Sequence, residues 1–113
     1  MIDCIFCKIV AGDIPANKMY EDDEILAFWD ISPQAPKHFL VIPKKHIADA
    51  VAMANEDIEL MGKIIKQGTR LAQEHGIGSD FRVVINNGAG AGQTVFHLHV
   101  HFLGGRAMLW PPG

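Results

Sequence analysis

Three histidines stand at alternate positions in the segment 97–103, with apolar residues between them. Side chains two residues apart on a strand point to one face, so the three imidazoles are expected to share one side of the chain. Each imidazole ring needs hydrogen-bond partners for two nitrogens, so three of them are costly to bury without a function. A strand that merely exposes a polar face is therefore the weaker interpretation. Two others remain: a zinc site, and covalent catalysis in which one ring attacks and its neighbours orient it.

A glycine-rich segment, 86–94, ends just before these histidines and carries glycines at 88, 90 and 92, followed by Thr94. Glycine adopts backbone conformations closed to other residues, and successive N–H groups in such a turn bind anions. A plain hairpin turn has a similar composition. The position of the glycine-rich segment beside the histidines favours a bound phosphate that a histidine attacks. Hydrolysis by a metal ion would instead require acidic or further histidine ligands in this segment.

Cys4 and Cys7 have the two-residue gap of half a zinc site. The alternative is a pair of small buried apolar side chains on one helix face. Two cysteines at this spacing do not form a disulfide framework, which leaves zinc binding and simple packing open.

The 113 residues are 49% hydrophobic and carry a net charge of −3. This length predicts one domain, 1–113, and dimerisation would help so small a chain to bury apolar surface. The charge gives no basic surface for wrapping nucleic acid, and no apolar run approaches the ~20 residues of a membrane helix. The first residues, Met1 to Cys4, do not read as a secretion signal, so a cytoplasmic protein without nucleic-acid or membrane partners is expected.

The elements that must position these residues follow from periodicity and from turn residues. A short helix is predicted over 4–11 with Gly12 as its stop, and a long helix over 55–75 with Asn55 as N-cap and Gly76 as stop. The helical repeat predicts which face of the long helix packs on the core. This face comprises Ile58, Met61, Ile64, Ile65, Gly68, Leu71 and Ala72, and Leu60 is predicted to lie on another face.

Strands are predicted at 18–21, 25–29, 38–42, 81–85 and the histidine segment 97–103. The last two, joined by the glycine-rich segment, should form an antiparallel pair. The architecture is therefore predicted to be α+β, with an antiparallel sheet and one long helix packed on it.

The histidine segment resembles the His-x-His-x-His-x-x signature of the histidine triad (HIT) family, and the blocks 30–36, 38–46, 92–95, 104–106 and 110–113 resemble its nucleotide-binding (Hint) branch. The resemblance implies a five-stranded antiparallel sheet with one long and one short N-terminal helix, and a homodimer whose sheets join edge to edge. It also implies a purine nucleoside phosphoramidase that hydrolyses adenosine phosphoramidates or acyl and aminoacyl adenylates, with no cofactor required for catalysis. A dimer that only binds purine nucleotides, or acts as a scaffold, is the alternative.

By this resemblance His99 is the nucleophile and forms a nucleotidyl-histidine, from which water releases AMP or GMP. A backbone carbonyl of the glycine or histidine segment is expected to accept the other ring N–H of His99. His101 is expected to contact the phosphate or to protonate the leaving amine. His97 is expected to orient the row, and His38 to complete the hydrogen-bond chain.

The resemblance also assigns nucleotide contacts beyond the histidines. Asp30 would bind the ribose, with turn capping as its alternative role, and Trp110 would reach the partner's active site. Trp29 is expected beside the base slot. The phosphate contacts are Asn86, Gly92, Gln93 and Thr94, and the base slot is Phe6, Ile14 and Ile31. Some relatives bind a structural zinc ion through two such cysteines and two histidines, which here are Cys4, Cys7, His46 and His97.

Overall fold

A computed structural model describes residues 3–113, so Met1 and Ile2 of the predicted domain lie outside the described residues. The described chain forms a five-stranded antiparallel sheet of order β1-β2-β3-β5-β4, which confirms the predicted α+β class. The strands are β1 Lys18–Glu21, β2 Ile25–Trp29, β3 Lys37–Pro43, β4 Phe81–Val84 and β5 Val100–Gly104, and the helices are α1 Ile5–Ala11 and α2 Ile58–Glu74.

The predicted histidine strand is shorter than expected, because β5 begins at Val100 and leaves His97 and His99 in the segment before it. Its neighbour β3 ends at Pro43, which has no N–H for a sheet bond, and Leu98 N–H instead donates to a carbonyl outside the sheet. The pairing of β4 with β5 is antiparallel, as predicted.

The two helices pack on opposite faces of the sheet. Under α2, the rings of Phe39 and Phe102 stack with centroids 5.1 Å apart. Gly68 allows α2 to lie close to the sheet, since a Cβ there would fall 2.0 Å from Phe102 Cζ. On the other face, α1 packs Phe6 against Phe28 of β2.

The histidine segment keeps its alternation across this sheet. Leu98, Val100 and Phe102 belong to the core under α2. His101 pairs across the sheet with Leu40 of the α1 face, and the Phe6 ring of α1 contacts the rings of His97 and His99. The expectation of three imidazoles on one side is therefore confirmed.

The start and the orientation of the long helix differ from the prediction. Residues Asn55–Asp57 form a 3-10 turn, and the Asp57 carboxylate accepts the Ala54 N–H, so Asn55 as N-cap was wrong. Leu60 is buried, whereas Ile58 and Ile65 are exposed, because the helix is rotated so that the row 60, 64, 68 and 71–72 faces the sheet.

Gly76 follows the helix with a φ of 81°, as its predicted role as a stop requires. Trp29 also lies elsewhere than predicted: it packs on Phe39 and His75 on the α2 face, opposite the histidine row. Within residues 3–113, no helix combines the length and the apolar character needed to cross a membrane.

Candidate active site and metal cluster

His99 is held in one tautomer by the backbone. Its Nδ1 lies 2.7 Å from the carbonyl oxygen of His97, and only a protonated Nδ1 can donate to that acceptor. In the neutral ring the proton is then absent from Nε2, which keeps its lone pair. This backbone acceptor is the one expected from the sequence, and it leaves His99 in the form that a nucleophile needs.

A chain of hydrogen bonds fixes the tautomers of His38 and His101. The Gln34 N–H donates to His38 Nδ1 at 3.0 Å, so the proton of neutral His38 is on Nε2. His38 Nε2 lies 2.9 Å from His101 Nδ1 and donates to it, which places the proton of neutral His101 on Nε2. That His101 N–H is buried and has no hydrogen-bond partner within residues 3–113. A buried donor without an acceptor, beside a nucleophile, is what an incoming anion would satisfy.

Burial keeps these rings neutral. It lowers the pKa of His101 to about 4, and the neighbouring rings of His99 and His38 contribute in the same direction. Burial also lowers the pKa of His38, although the Asp30 carboxylate partly opposes the change, and it lowers the pKa of His97. At neutral pH these three imidazoles therefore offer N–H groups and lone pairs in fixed directions and carry no charge.

The glycine-rich segment forms a tight turn. Gly88 and Gly92 have φ of 91° and 98° and flank the 3-10 turn Ala89–Ala91. Asn86 lies beside Gly92, since its Nδ2 is 3.8 Å from where a Cβ of Gly92 would stand. The Gly92 N–H is used inside the turn, whereas those of Thr94 and Val95 form no hydrogen bond within residues 3–113. The N–H groups of Thr94 and Val95 therefore remain available to an anion at the end of the segment nearest the histidines.

Gln93 is turned into the protein and is only 3% exposed. Its Oε1 accepts the Gly88 N–H at 2.7 Å, and its Nε2 donates to the carbonyls of Ala48 and Val95 at 2.8 and 3.1 Å. Its backbone N–H donates to Gly88 as well. The polar groups of this predicted phosphate contact are therefore engaged within the protein, where they brace the turn.

Of the residues predicted to bind ribose and base, Phe6 and Ile14 share one cluster, whereas Asp30 and Ile31 lie outside it. Asp30 Oδ1 accepts the Ser32 N–H at 2.7 Å, which confirms turn capping, while Oδ2 lies 3.4 Å from His38 Nε2. Phe6 and Ile14 belong to the cluster between α1 and the sheet, whereas Ile31 is 99% exposed. Phe28 of β2 also lies on this face. The alternation of side chains along a strand could have indicated this from the sequence.

Trp110 is 83% exposed in the C-terminal segment. This segment is tied to the edge strand, because the Arg82 guanidinium donates to the Leu109 carbonyl at 2.9 Å. Trp110, the residue after Leu109, thus lies on the protein surface and not among the histidines.

The four residues with zinc-ligand chemistry come together at the N-cap and first turn of α1. Cys4, Cys7, His46 and His97 place their ligand atoms within 4.8 Å of one another. His97 Nε2 donates to the Pro43 carbonyl at 2.8 Å, so its Nδ1 presents a lone pair to the cluster.

The distances within this metal cluster fit a single tetrahedral ion. Zn–S bonds of about 2.3 Å and Zn–N bonds of about 2.05 Å place sulfur and nitrogen ligands about 3.6 Å apart, and two nitrogens about 3.3 Å apart. Three of the four S–N separations are 3.2 to 3.5 Å, and the Nδ1 atoms of His46 and His97 are 3.2 Å apart. Without a cation, burial and the neighbouring Cys4 raise the pKa of Cys7 to about 11.

Comparison with known proteins identifies the class. The HIT domain family matches residues 11–108, and the chain belongs to this family. The chain is 54% identical over 111 residues to a protein of Synechocystis sp. described as an uncharacterized HIT-like protein, covering 98% of this chain and 97% of that one.

Two solved structures share the fold. A HIT family hydrolase from Legionella pneumophila is 51% identical, with a TM-score of 0.96 over 98% of this chain and 100% of that one. A zinc-bound histidine triad family protein from Mycobacterium smegmatis is 40% identical, with a TM-score of 0.80 over 92% of this chain and 76% of that one.

Proposed function

We propose that the protein is a nucleoside phosphoramidase of the Hint branch, which hydrolyses adenosine 5′-phosphoramidates or acyl and aminoacyl adenylates through a nucleotidyl-His99 intermediate. The observation that carries this proposal is the pairing of two oriented nitrogens. His99 offers a lone pair on Nε2, and the adjacent His101 offers an unpartnered N–H on Nε2. The family membership and the hydrolase neighbour support the same class of reaction.

The mechanism follows from these two groups. His99 Nε2 attacks the α-phosphorus as the bond from phosphorus to the amine nitrogen breaks. The electron pair of that bond goes to the nitrogen, which takes up a proton from solvent water as the amine leaves. His99 is then cationic, and its Nδ1–H stays bonded to the His97 carbonyl. His101 donates its Nε2–H to a phosphoryl oxygen, where negative charge develops. Water then attacks phosphorus, releases the nucleoside monophosphate and restores neutral His99.

The nucleotide is expected to lie across the α1 face of the sheet. Asp30 Oδ2 would accept ribose hydroxyl protons, because Oδ1 is already used by the Ser32 N–H. The base would pack near Phe6 and Ile14, with the exposed Ile31 as an outer wall. The N–H groups of Thr94 and Val95 would serve the phosphate, with Asn86 beside them.

The test is turnover of adenosine 5′-phosphoramidate, with mass spectrometry of protein quenched rapidly without acid for nucleotidylated His99. His99→Ala should abolish turnover and retain AMP binding. His75→Ala is the matched control, since His75 packs on Trp29 on the opposite face. AMP binding without turnover by the wild-type protein would support the non-catalytic binding or scaffolding alternative and overturn the enzymatic one.

We also propose a homodimer joined through β4, which is an edge of the sheet in the isolated chain. Val83 on β4 and the following Ile85 are 39% and 38% exposed, and an unpaired apolar edge strand favours pairing with a second copy. In the dimer, the neighbouring Trp110 would reach the partner's site. Val83→Lys should shift the mass in sedimentation equilibrium to that of a monomer, and a wild-type monomer at micromolar concentration would refute this assembly.

We further propose that the metal cluster binds one structural zinc ion. The support is the convergence of four donor atoms within 4.8 Å of one another and the zinc-bound neighbour. All four positions are protein ligands, so the ion would fasten α1 to the sheet rather than activate water. Elemental analysis should find one zinc per chain in the wild type and in His75→Ala, and none in Cys4→Ser/Cys7→Ser. A cytoplasmic location and the absence of nucleic-acid partners stay predictions.

A further inference from the structure

We infer that the metal cluster is energetically coupled to the nucleotide site through His97 and Phe6, so that zinc and nucleotide strengthen each other's binding. This inference rests on the proposed zinc and nucleotide sites and goes beyond both. It assigns to the ion a positioning role toward His99 in addition to fastening a helix.

His97 is the first link, because one residue serves both sites. Its Nδ1 lies 3.4 Å from Cys4 Sγ and 3.5 Å from Cys7 Sγ, while its carbonyl oxygen accepts the His99 Nδ1–H at 2.7 Å. The residue is fully buried, and its Nε2–H is held by Pro43. An ion that fixes the ring therefore also restricts the backbone that carries the acceptor of the nucleophile.

Phe6 is the second link. It stands between Cys4 and Cys7 in the chain, and its ring packs edge-on against His97 and His99 with centroids 6.0 and 5.2 Å away. Helix α1 has only seven residues, which is too short to be stable by itself, so its place depends on tertiary contacts. An ion bound by the two cysteines would fix the helix that carries this wall of the base slot.

A third observation joins the two sites at the surface. Cys4 and His46 of the metal cluster line the same groove, about 550 Å³ in volume, as Thr94 and Ile14 of the predicted nucleotide contacts. The coupling thus has a short path through packed residues, and no distant rearrangement of the sheet is required.

The experiment is a thermodynamic cycle with wild-type protein. AMP affinity is measured by calorimetry in zinc-loaded and zinc-free protein, and zinc affinity is measured by chelator competition with and without AMP. We expect zinc removal to weaken AMP binding at least about fivefold, and AMP to strengthen zinc binding by the same factor, because coupling is reciprocal. The His99 Nδ1–H resonance should lose intensity or shift in the zinc-free protein.

Phe6→Leu separates the two links. It should keep zinc binding, which needs only the four ligands, and reduce the coupling factor. If the zinc-free chain unfolds, Cd²⁺-loaded protein takes its place in the comparison, because the larger ion changes the ligand distances while the site stays filled. In that case the AMP affinity should differ from that of the zinc-loaded protein, and the His99 resonance should shift. Zinc binding with unchanged AMP affinity and an unchanged resonance overturns the coupling alone. A chain that binds no zinc overturns the coupling and the zinc site, but leaves the phosphoramidase proposal standing.

Discussion

Acidification should destabilise the folded protein through His101, whose pKa burial lowers from an ordinary 6.5 to about 4. Between these pH values the unfolded chain binds a proton at His101 that the folded chain does not, so unfolding becomes easier as pH falls. The contribution of neutral His101 to stability is complete above the pKa of the unfolded chain and is lost as the pH falls toward the pKa of the folded chain.

The size of the effect follows from the same two values. A difference from 6.5 to about 4 corresponds to about 3.5 kcal/mol at about 1.4 kcal/mol for each tenfold change in proton affinity. The ring is partly exposed, and solvent screening reduces the expected contribution to about 2 kcal/mol. His38 and His97, whose pKa values are lowered as well, act in the same direction.

The comparison that isolates His101 is His101→Asn. The Asn Oδ1 stands near the place of the imidazole Nδ1 and accepts the His38 Nε2–H, but the variant has neither a titrating ring nor an Nε2–H. Urea unfolding at pH 7 and pH 4.5, at equal zinc content, should show the wild type losing about 2 kcal/mol more than the variant. Turnover of the variant should fall about 10²–10³-fold, because a donor to the phosphoryl group is lost.

Two results would refute this reasoning. One is an equal loss of unfolding free energy in the two proteins, since the contributions of the other histidines cancel in the comparison. The other is an NMR titration in which the His101 ring gains its proton near the ordinary value in the folded chain. Either would mean that burial does not hold the His101 ring neutral.

The remaining predictions concern support of the site and of the core. Gln93→Glu replaces the two N–H donors of the side-chain amide with a carboxylate that faces the carbonyls of Ala48 and Val95. It should weaken AMP binding about tenfold or more and lower the free energy of unfolding by about 1–3 kcal/mol. The control Gln73→Glu, at an exposed position of α2, should do neither. Gly68→Ala should lower the urea midpoint by the equivalent of about 1–3 kcal/mol, since its methyl would meet the Phe102 ring. Gly62→Ala, with no atom near the added methyl, should raise the free energy of unfolding by about 0.5–1 kcal/mol. A loss of stability in Gly62→Ala as large as in Gly68→Ala would contradict the steric argument.

The sequence was sufficient to predict the fold class and the histidine row, because periods of two and of 3.6 are local properties of the chain. It also predicted a backbone acceptor for His99. The hydrogen-bond partners that fix the tautomers were not predictable in this way. His97 and Pro43 are 54 positions apart in the chain, and their contact depends on where β3 ends.

The errors have a related cause. The family resemblance placed Trp29 beside the base slot, yet strand alternation sends its ring to the opposite face. Asn55 has the preferred type for an N-cap, but the Asp57 carboxylate accepts the Ala54 N–H and a 3-10 turn precedes the helix. In both cases a second local feature, the alternation of β2 or the carboxylate of Asp57, decided the outcome.

The strand order has a consequence for biosynthesis. β5 is the last strand in the chain, yet it lies between β3 and β4 in the sheet. Until the ribosome has released it, β4 has no neighbour to pair with, and the chain lacks His101 and the strand that directly follows His99. A nascent or truncated chain that stops before Val100 therefore carries an incomplete sheet and no working site, so a shortened protein product is expected to be inert and prone to removal by proteases.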